Sequence, residues 1–239
     1  MCVPQTPEAA SPQFASTAVT LRLELAVLFI ECSGVVGDSK LGRHAAEEER
    51  MDVHPSHFKA VARAAGASPR DILRGKEVRN TERILEVRLY ELLDRTSQSA
   101  ETEAIGLELA DPSNGPLLEP VESTCLCQET VGEALGCAVE HQPIVARSET
   151  LRLDRFGDTA VLEVDILGRR RDAHDHLVDI ILARLFQLIR RAEEGFTPTR
   201  IDVTREWECC DEHTERFGIR PQTGEPQNRL FFDAAVLDL

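Results

Sequence analysis

Positive charge is scarce in this chain. Its 27 Lys and Arg residues face 42 Asp and Glu, a formal net charge of −15 over 239 residues. Such a field repels phosphate and anionic lipid, which argues against broad nucleic-acid binding and against attachment to a membrane surface. Long apolar runs are missing as well. The most apolar stretch, Leu21–Cys32, is too short to span a bilayer and is broken by Arg22, Glu24 and Glu31. No basic cluster precedes it, so it is also a poor signal peptide. No Gly-rich phosphate loop, nucleophile elbow or internal repeat is found, and no motif calls for a cofactor. Asp and Glu are too common to nominate a catalytic dyad, so no residue is assigned a catalytic role. A disulfide framework is absent too. Seven cysteines make an odd count without framework spacing, which favours reduced thiols and a cytoplasmic setting.

What is present is material for one large domain or two small ones. Residues 1–50 differ from the rest. Met1–Thr20 is rich in Pro, Ser, Thr and Ala and reads as a disordered extension. Met51 reads as a native start. Short helices are then expected over Ser56–Ala65, from Ser68 to Gly75, from Asn80 or Thr81 to about Arg95, over Glu103–Ala110 and from Leu117 to Cys127. Another follows from a capping box at Thr130–Glu133 and stops before Pro143. Ala62, Gly66, Ser68 and Ile72 have helix-turn-helix spacing. The second helix is too short and the chain too acidic for a recognition element, so ordinary packing is the favoured reading.

From Ser148 the period changes to two. Leu151 and Leu153, then Ala160, Leu162, Val164 and Ile166, alternate around a turn at Phe156–Asp158, the signature of a hairpin with one buried face. The clearest element of all follows over 173–194. Leu177, Val178, Ile181, Leu182, Leu185, Phe186, Leu188, Ile189 and Ala192 make one wide apolar stripe. Asp172 is the expected cap, Asp175 and Asp179 suit the positive end of the macrodipole, and Gly195 supplies a left-handed stop. Strands near Ile201 and over Asn228–Phe232 complete the order, with Asp233 capping a last helix. The expected fold is α+β: a layer of short helices (51–147), then a small, mostly antiparallel sheet covered by one long helix (148–239). Together 51–239 form one domain.

Several clusters invite chemistry. Cys125, Cys127, Cys137 and His141 have the donor types of a metal or thiol sensor, and Cys137 and His141 share a helix face. The competing reading makes these cysteines small core residues. Cys209 and Cys210 beside Glu208, Asp211 and His213 suggest a redox pair but are more simply incidental. His174, Asp175 and His176 point in different directions on one turn and read as an exposed polar start to the long helix. Arg169–Arg171 reads as a solvated basic loop.

The final segment is the most specific. Phe217–Gly218–Ile219–Arg220–Pro221, followed by Gly224 through Leu239 with Asn228, Phe232 and Asp233, resembles the close of arabinose-binding-type amino-terminal domains of AraC/XylS-family transcriptional regulators. Ala64–Gly66, Ile105–Leu109 and Thr130–Leu135 agree in order, so the resemblance covers about residues 55–239. It implies a domain that senses a small-molecule effector and forms a homodimer, reaching DNA only through a carboxy-terminal helix-turn-helix domain that this chain does not include. The motif residues Phe217, Gly218, Asn228, Phe232 and Asp233 are expected to be structural. The effector site is expected between the helical layer and the sheet, and its lining is left unassigned.

Overall fold

The computed structural model describes residues 51–79, 82–100, 102–115, 121–168, 171–206 and 211–239. The readings made for residues 1–50, Asn80, Thr81, Leu117, Arg169, Arg170, Glu208, Cys209 and Cys210 lie outside them. The elements in order are β1 (Asp52–Val53), α1 (Pro55–Ala64), α2 (Pro69–Ile72), β2 (Ile84–Leu85), α3 (Glu86–Ser99), α4 (Ile105–Leu109) and α5 (Glu122–Cys125). Then come α6 (Val131–Val145), β3 (Glu149–Phe156), β4 (Thr159–Ile166), α7 (Asp172–Ala192), β5 (Arg200–Asp202), α8 (Asp211–Phe217) and β6 (Asn228–Asp233). Two short 3-10 turns, Pro112–Asn114 and Ala234–Asp238, lie between α4 and α5 and after β6. The fold is α+β.

β3, β4, β6 and β5 form one sheet in that spatial order, every pair antiparallel. β3 and β4 join through a two-residue turn led by Gly157 at φ +62. A left-handed residue first in the turn matches the twist of the two strands. Leu162 pairs with Leu230 and Ala160 with Phe232. These side chains are buried with Leu151, Val164 and Ile201 in one apolar cluster. On the opposite face Val161 lies across from Phe231, whose ring is covered by Arg200 at 5.4 Å.

The long helix differs from the expected one-sided stripe. α7 is buried on all sides from Ala173 to Phe186. Val178, Ile181, Leu182, Leu185, Phe186 and Ile189 join the sheet cluster. Ala173, Leu177 and Ile180 join a second cluster with Phe58, Leu89, Leu92 and Leu93 from the helices. The rod therefore separates two cores and serves both. Its tail conforms to the sequence less closely, since Ala192 is exposed. Arg171, not Asp172, holds the capping position, with no side-chain cap bond. The helix ends when Glu193 turns extended (φ −133), and Gly195 is not left-handed. Phe196 does fold back, its ring 5.6 Å from that of Phe186.

Three other boundaries moved, two of them for identifiable reasons. α3 begins only at Glu86, because Ile84 and Leu85 pair with Val53 and Asp52. It continues to Ser99 rather than Arg95. α6 runs through Pro143 to Val145. A proline in the last turn forfeits a single backbone bond, and the Val145 carbonyl finds the His54 N–H at 2.6 Å. Thr130 caps α6 by accepting from the Glu133 N–H at 3.1 Å, while Glu133 reaches past it to the Glu129 N–H. The last element is a 3-10 turn, whose start Asp233 caps by accepting from the Ala235 N–H at 2.8 Å.

Candidate functional site

A cleft of about 820 Å³ opens between α4, the Pro112–Asn114 turn, α7 and α8. Its apolar floor is Ala104, Leu107 and Phe186. Its walls carry both signs of charge: Glu108, Asp111, Glu212 and Glu215 against Arg190, Arg191 and Arg216. Many of these groups brace the walls. Arg216 donates to the Leu107 carbonyl at 3.4 Å and pairs with Asp111 at 3.5 Å. Gln187 donates to the Ala110 carbonyl at 3.0 Å, and Arg190 covers the Phe186 ring at 5.7 Å. The side chains of Glu108, Arg191 and Glu215 make no hydrogen bond or ion pair among the described residues. They are available to a ligand's polar ends. No sheet residue lines the cleft, so it lies apart from the expected place between helices and sheet, where apolar side chains fill the space.

Phe186 connects the cleft floor to the sheet. Its ring meets Phe217 edge-on at 5.4 Å and Phe196 at 5.6 Å, and Phe196 meets Phe232 at 5.7 Å. Phe217 and Phe232 are each 1% exposed. Gly218, at φ +77, ends α8 by donating to the Thr214 carbonyl.

Two of the helices that form the cleft, α7 and α8, are tied together by a buried charge cluster. Arg205 grips Asp179 with both terminal nitrogens and donates to the Asp175 carbonyl at 3.1 Å. His213 Nε2 lies 3.2 Å from Asp179 and 3.1 Å from Arg205. Burial pushes the Asp179 carboxyl up, but the Arg205 guanidinium and His213 outweigh it and hold it below the usual carboxylate range. Asn228 supports the loop that delivers Arg205. Its Oδ1 accepts from the Thr204 N–H at 2.8 Å, and its Nδ2 donates to the Val164 carbonyl at 3.3 Å. α4 fits closely beside this cluster because Gly106 has no side chain. A Cβ there would overlap the His176 carbonyl and approach the Asp179 Cβ to 2.6 Å.

These residues correct one expectation directly. His174, Asp175 and His176 are buried, not an exposed polar turn. Burial lowers the His176 pKa. His174 lies against the Tyr90 ring at 5.0 Å, and Arg171 covers that ring at 5.4 Å.

A second buried polar cluster joins α3, α6 and β3. Ser148 donates to Glu86, and Gln142 donates to Glu149 at 2.5 Å. Both carboxyls are 1% exposed. Burial, reinforced by Asp52 and opposed by Tyr90 and Arg171, raises Glu86 to about 7. Burial and the Glu86 charge, opposed by Gln142, raise Glu149 to about 8.

The cysteine cluster does not assemble as a metal site. Cys137 Sγ is 3.8 Å from His141 Nδ1, but that nitrogen lies 2.9 Å from the Cys137 carbonyl. Cys127 is exposed while Cys125 and Cys137 are buried. Burial raises both buried thiols and keeps them protonated. Among the described residues no group of three His, Cys, Asp or Glu is placed to hold a metal.

Residues 57–239 match the family described as the arabinose-binding domain of AraC transcription regulator, N-terminal. The chain belongs to that family. The match takes in α4, α7 and α8, and so the cleft and the charge cluster behind it. The arabinose-binding-domain fold also resembles a solved structure, transcriptional regulator CdpR from Pseudomonas aeruginosa, with a TM-score of 0.53 and 13% identity. That likeness covers 75% of this chain and 55% of the other, so this chain spans about half of that regulator's length. At such identity the likeness concerns the fold alone. A comparison with curated proteins finds no match. Among the described residues no helix is long and apolar enough to cross a membrane.

Sequence reasoning missed Arg205, placed His213 only beside the Cys209–Cys210 pair, and read Asp179 only as a helix-end charge. No local signal marked them: the polar residues of 173–189 fall largely on one side of the helix, as those of a solvent face would.

Proposed function

We propose that this chain is the effector-sensing and dimerising part of an AraC-type regulator, with the α4–α7–α8 cleft as its effector site. Family membership supports the regulatory role. The cleft carries the assignment of the site: it is large enough for a small metabolite and combines an apolar floor with free polar side chains. The effector on this reading has an apolar body and polar ends, the body resting on Phe186 and Leu107.

The response is a population shift. A molecule touching α4, α7 and α8 together favours the arrangement in which the three helices are closest. Phe186 carries that preference toward Phe196 and Phe232 in the sheet. The domain pairs with a second copy, and a DNA-binding domain elsewhere in the regulator reads the change. An effector shifts this equilibrium only by its difference in affinity for the two arrangements.

A thermal-shift screen of soluble metabolites against the whole chain tests the site. A true effector raises Tm, and the rise shrinks in Arg191→Ala, Gln187→Ala and Glu215→Ala. A hit indifferent to all three substitutions places the effector elsewhere. Sedimentation velocity with and without the hit tests the dimer.

A further inference from the structure

Among the described residues, three cations without a partner line one groove of this acidic protein. This groove of about 440 Å³ is lined by residues within 73–79, after α2, and within 82–88, from β2 and the start of α3. It shares no lining residue with the α4–α7–α8 cleft. Five cations line it, and two of them are already committed. Arg83 is bound to Asp52 and to the Ile144 carbonyl, and Arg88 to Glu91. Arg74, Lys76 and Arg79 make no ion pair or hydrogen bond through their side chains among the described residues. Of the two acids in the lining, Glu77 is paired with Arg70 and only Glu82 is free. Three free cations against one free carboxylate leave the groove an uncompensated charge of two.

The wall between these charges is apolar. Leu73 and Val78 are partly exposed and Leu85 is 52% exposed. Arg74 is also the one described non-glycine residue with positive φ, +53, followed by Gly75 at +86. An arginine is less at ease there than a glycine. This left-handed pair closes α2, the Gly75 N–H donating to the Arg70 carbonyl at 2.7 Å, and so fixes where the Arg74 side chain leaves the helix.

We propose that this groove binds a soluble phosphate monoester with an apolar body. The dianionic head matches the surplus of two positive charges, and the body covers Leu73, Val78 and Leu85. The site is separate from the effector cleft and does not depend on it.

Calorimetric titration of the full chain with octyl phosphate, below its micelle concentration, is the test. Octanoate, inorganic phosphate and octanol at matched ionic strength complete the set. Octyl phosphate should bind tightest, because only it supplies both the dianion and the apolar body. Arg79→Ala and Arg74→Gly should each weaken it at least about tenfold, the scale of one charge-assisted contact. Arg74→Gly also relieves the strained turn, so its Tm should hold or rise. Loss of binding there cannot come from unfolding. Arg191→Ala, in the other cleft, should leave binding unchanged.

The proposal is overturned if inorganic phosphate or octanoate binds as well as octyl phosphate, or if Arg74→Gly binds like the parent. Sedimentation with phosphatidic-acid vesicles without binding of soluble octyl phosphate would assign the groove to a membrane instead. Conversion of a dimer to a monomer by Arg79→Ala would assign it to a second copy of the chain. Either result defeats the proposal.

Discussion

Arg205 and Asp179 lie 26 positions apart and form a two-pronged ion pair with each side chain 1% exposed. The pair joins the β5–α8 loop to the middle of α7. Its charges cannot borrow water, so each depends on the other. Truncation of one partner leaves a buried, uncompensated charge and costs about 3–5 kcal/mol. Arg205→Ala is expected to lower the urea midpoint accordingly and to loosen α8, which the pair holds in place through His213. Arg205→Met together with Asp179→Leu should recover much of the loss, because neither charge then remains. Equal stability of Arg205→Ala and the parent would show that the pair does not carry α8.

Glu86 and Glu149 set a pH dependence of opposite sign to the usual carboxylate. Unfolded, each ionises near 4.5, whereas in the fold they hold their protons to about 7 and about 8. Between those values the folded chain binds more protons than the unfolded chain. Stability therefore falls as pH rises from about 4.5 to about 8, by an amount of order a few kcal/mol. Glu149→Gln keeps the shape and one hydrogen-bonding oxygen while removing the charge. The drop in Tm between pH 6 and pH 8.5 should shrink in this variant. An identical drop in variant and parent would remove Glu149 from the account.

Gly106 sits where α4 crosses α7, and its missing side chain is what allows the contact. The atom opposite is a helix carbonyl, which cannot swing aside. Gly106→Ala should therefore destabilise by about 1–3 kcal/mol, although alanine is the better helix former. The substitution also forces α4 away from α7 and widens the cleft. An effector found by thermal shift should bind this variant more weakly than it binds Gln187→Ala. A stabilised Gly106→Ala protein would mean that α4 has room to move.

Much of the architecture was legible because strands and surface helices announce themselves by period. The alternation from Leu151 to Ile166 locates the hairpin, and its turn needs the left-handed freedom of Gly157. Periodicity served α7 less well. A stripe identifies the covered face of a surface helix, but it does not reveal that the polar face opposite is covered as well. His176 was accordingly assigned to solvent, and Asp179 only to the positive end of the helix. Their partners were also remote. His213 is 34 positions from Asp179, and Ser148 is 62 from Glu86. Nothing local marks such pairs. The cleft was hidden for the same reason, since its walls come from three helices separated by long intervals and share no motif.

Asn228 offers a way to test whether the sheet positions the charge cluster. It bridges Val164 on β4 to the Thr204 N–H, one residue before Arg205. Removing its amide takes away the acceptor of the half-buried Thr204 N–H and the donor to the Val164 carbonyl, and should cost about 1–3 kcal/mol on its own. The consequence for Arg205 is more specific. Without its brace the 203–206 loop can retreat, and the guanidinium loses its aim at Asp179. Asn228→Ala and Arg205→Ala should then overlap in effect, and the double variant should be less destabilised than the sum of the singles. Groups in one network commonly couple by about 0.5–3 kcal/mol, well above the 0.3–0.5 kcal/mol scatter of independent sites. Urea denaturation of the four proteins in the cycle gives the coupling directly. Simple additivity would mean that Arg205 finds Asp179 without help from the sheet.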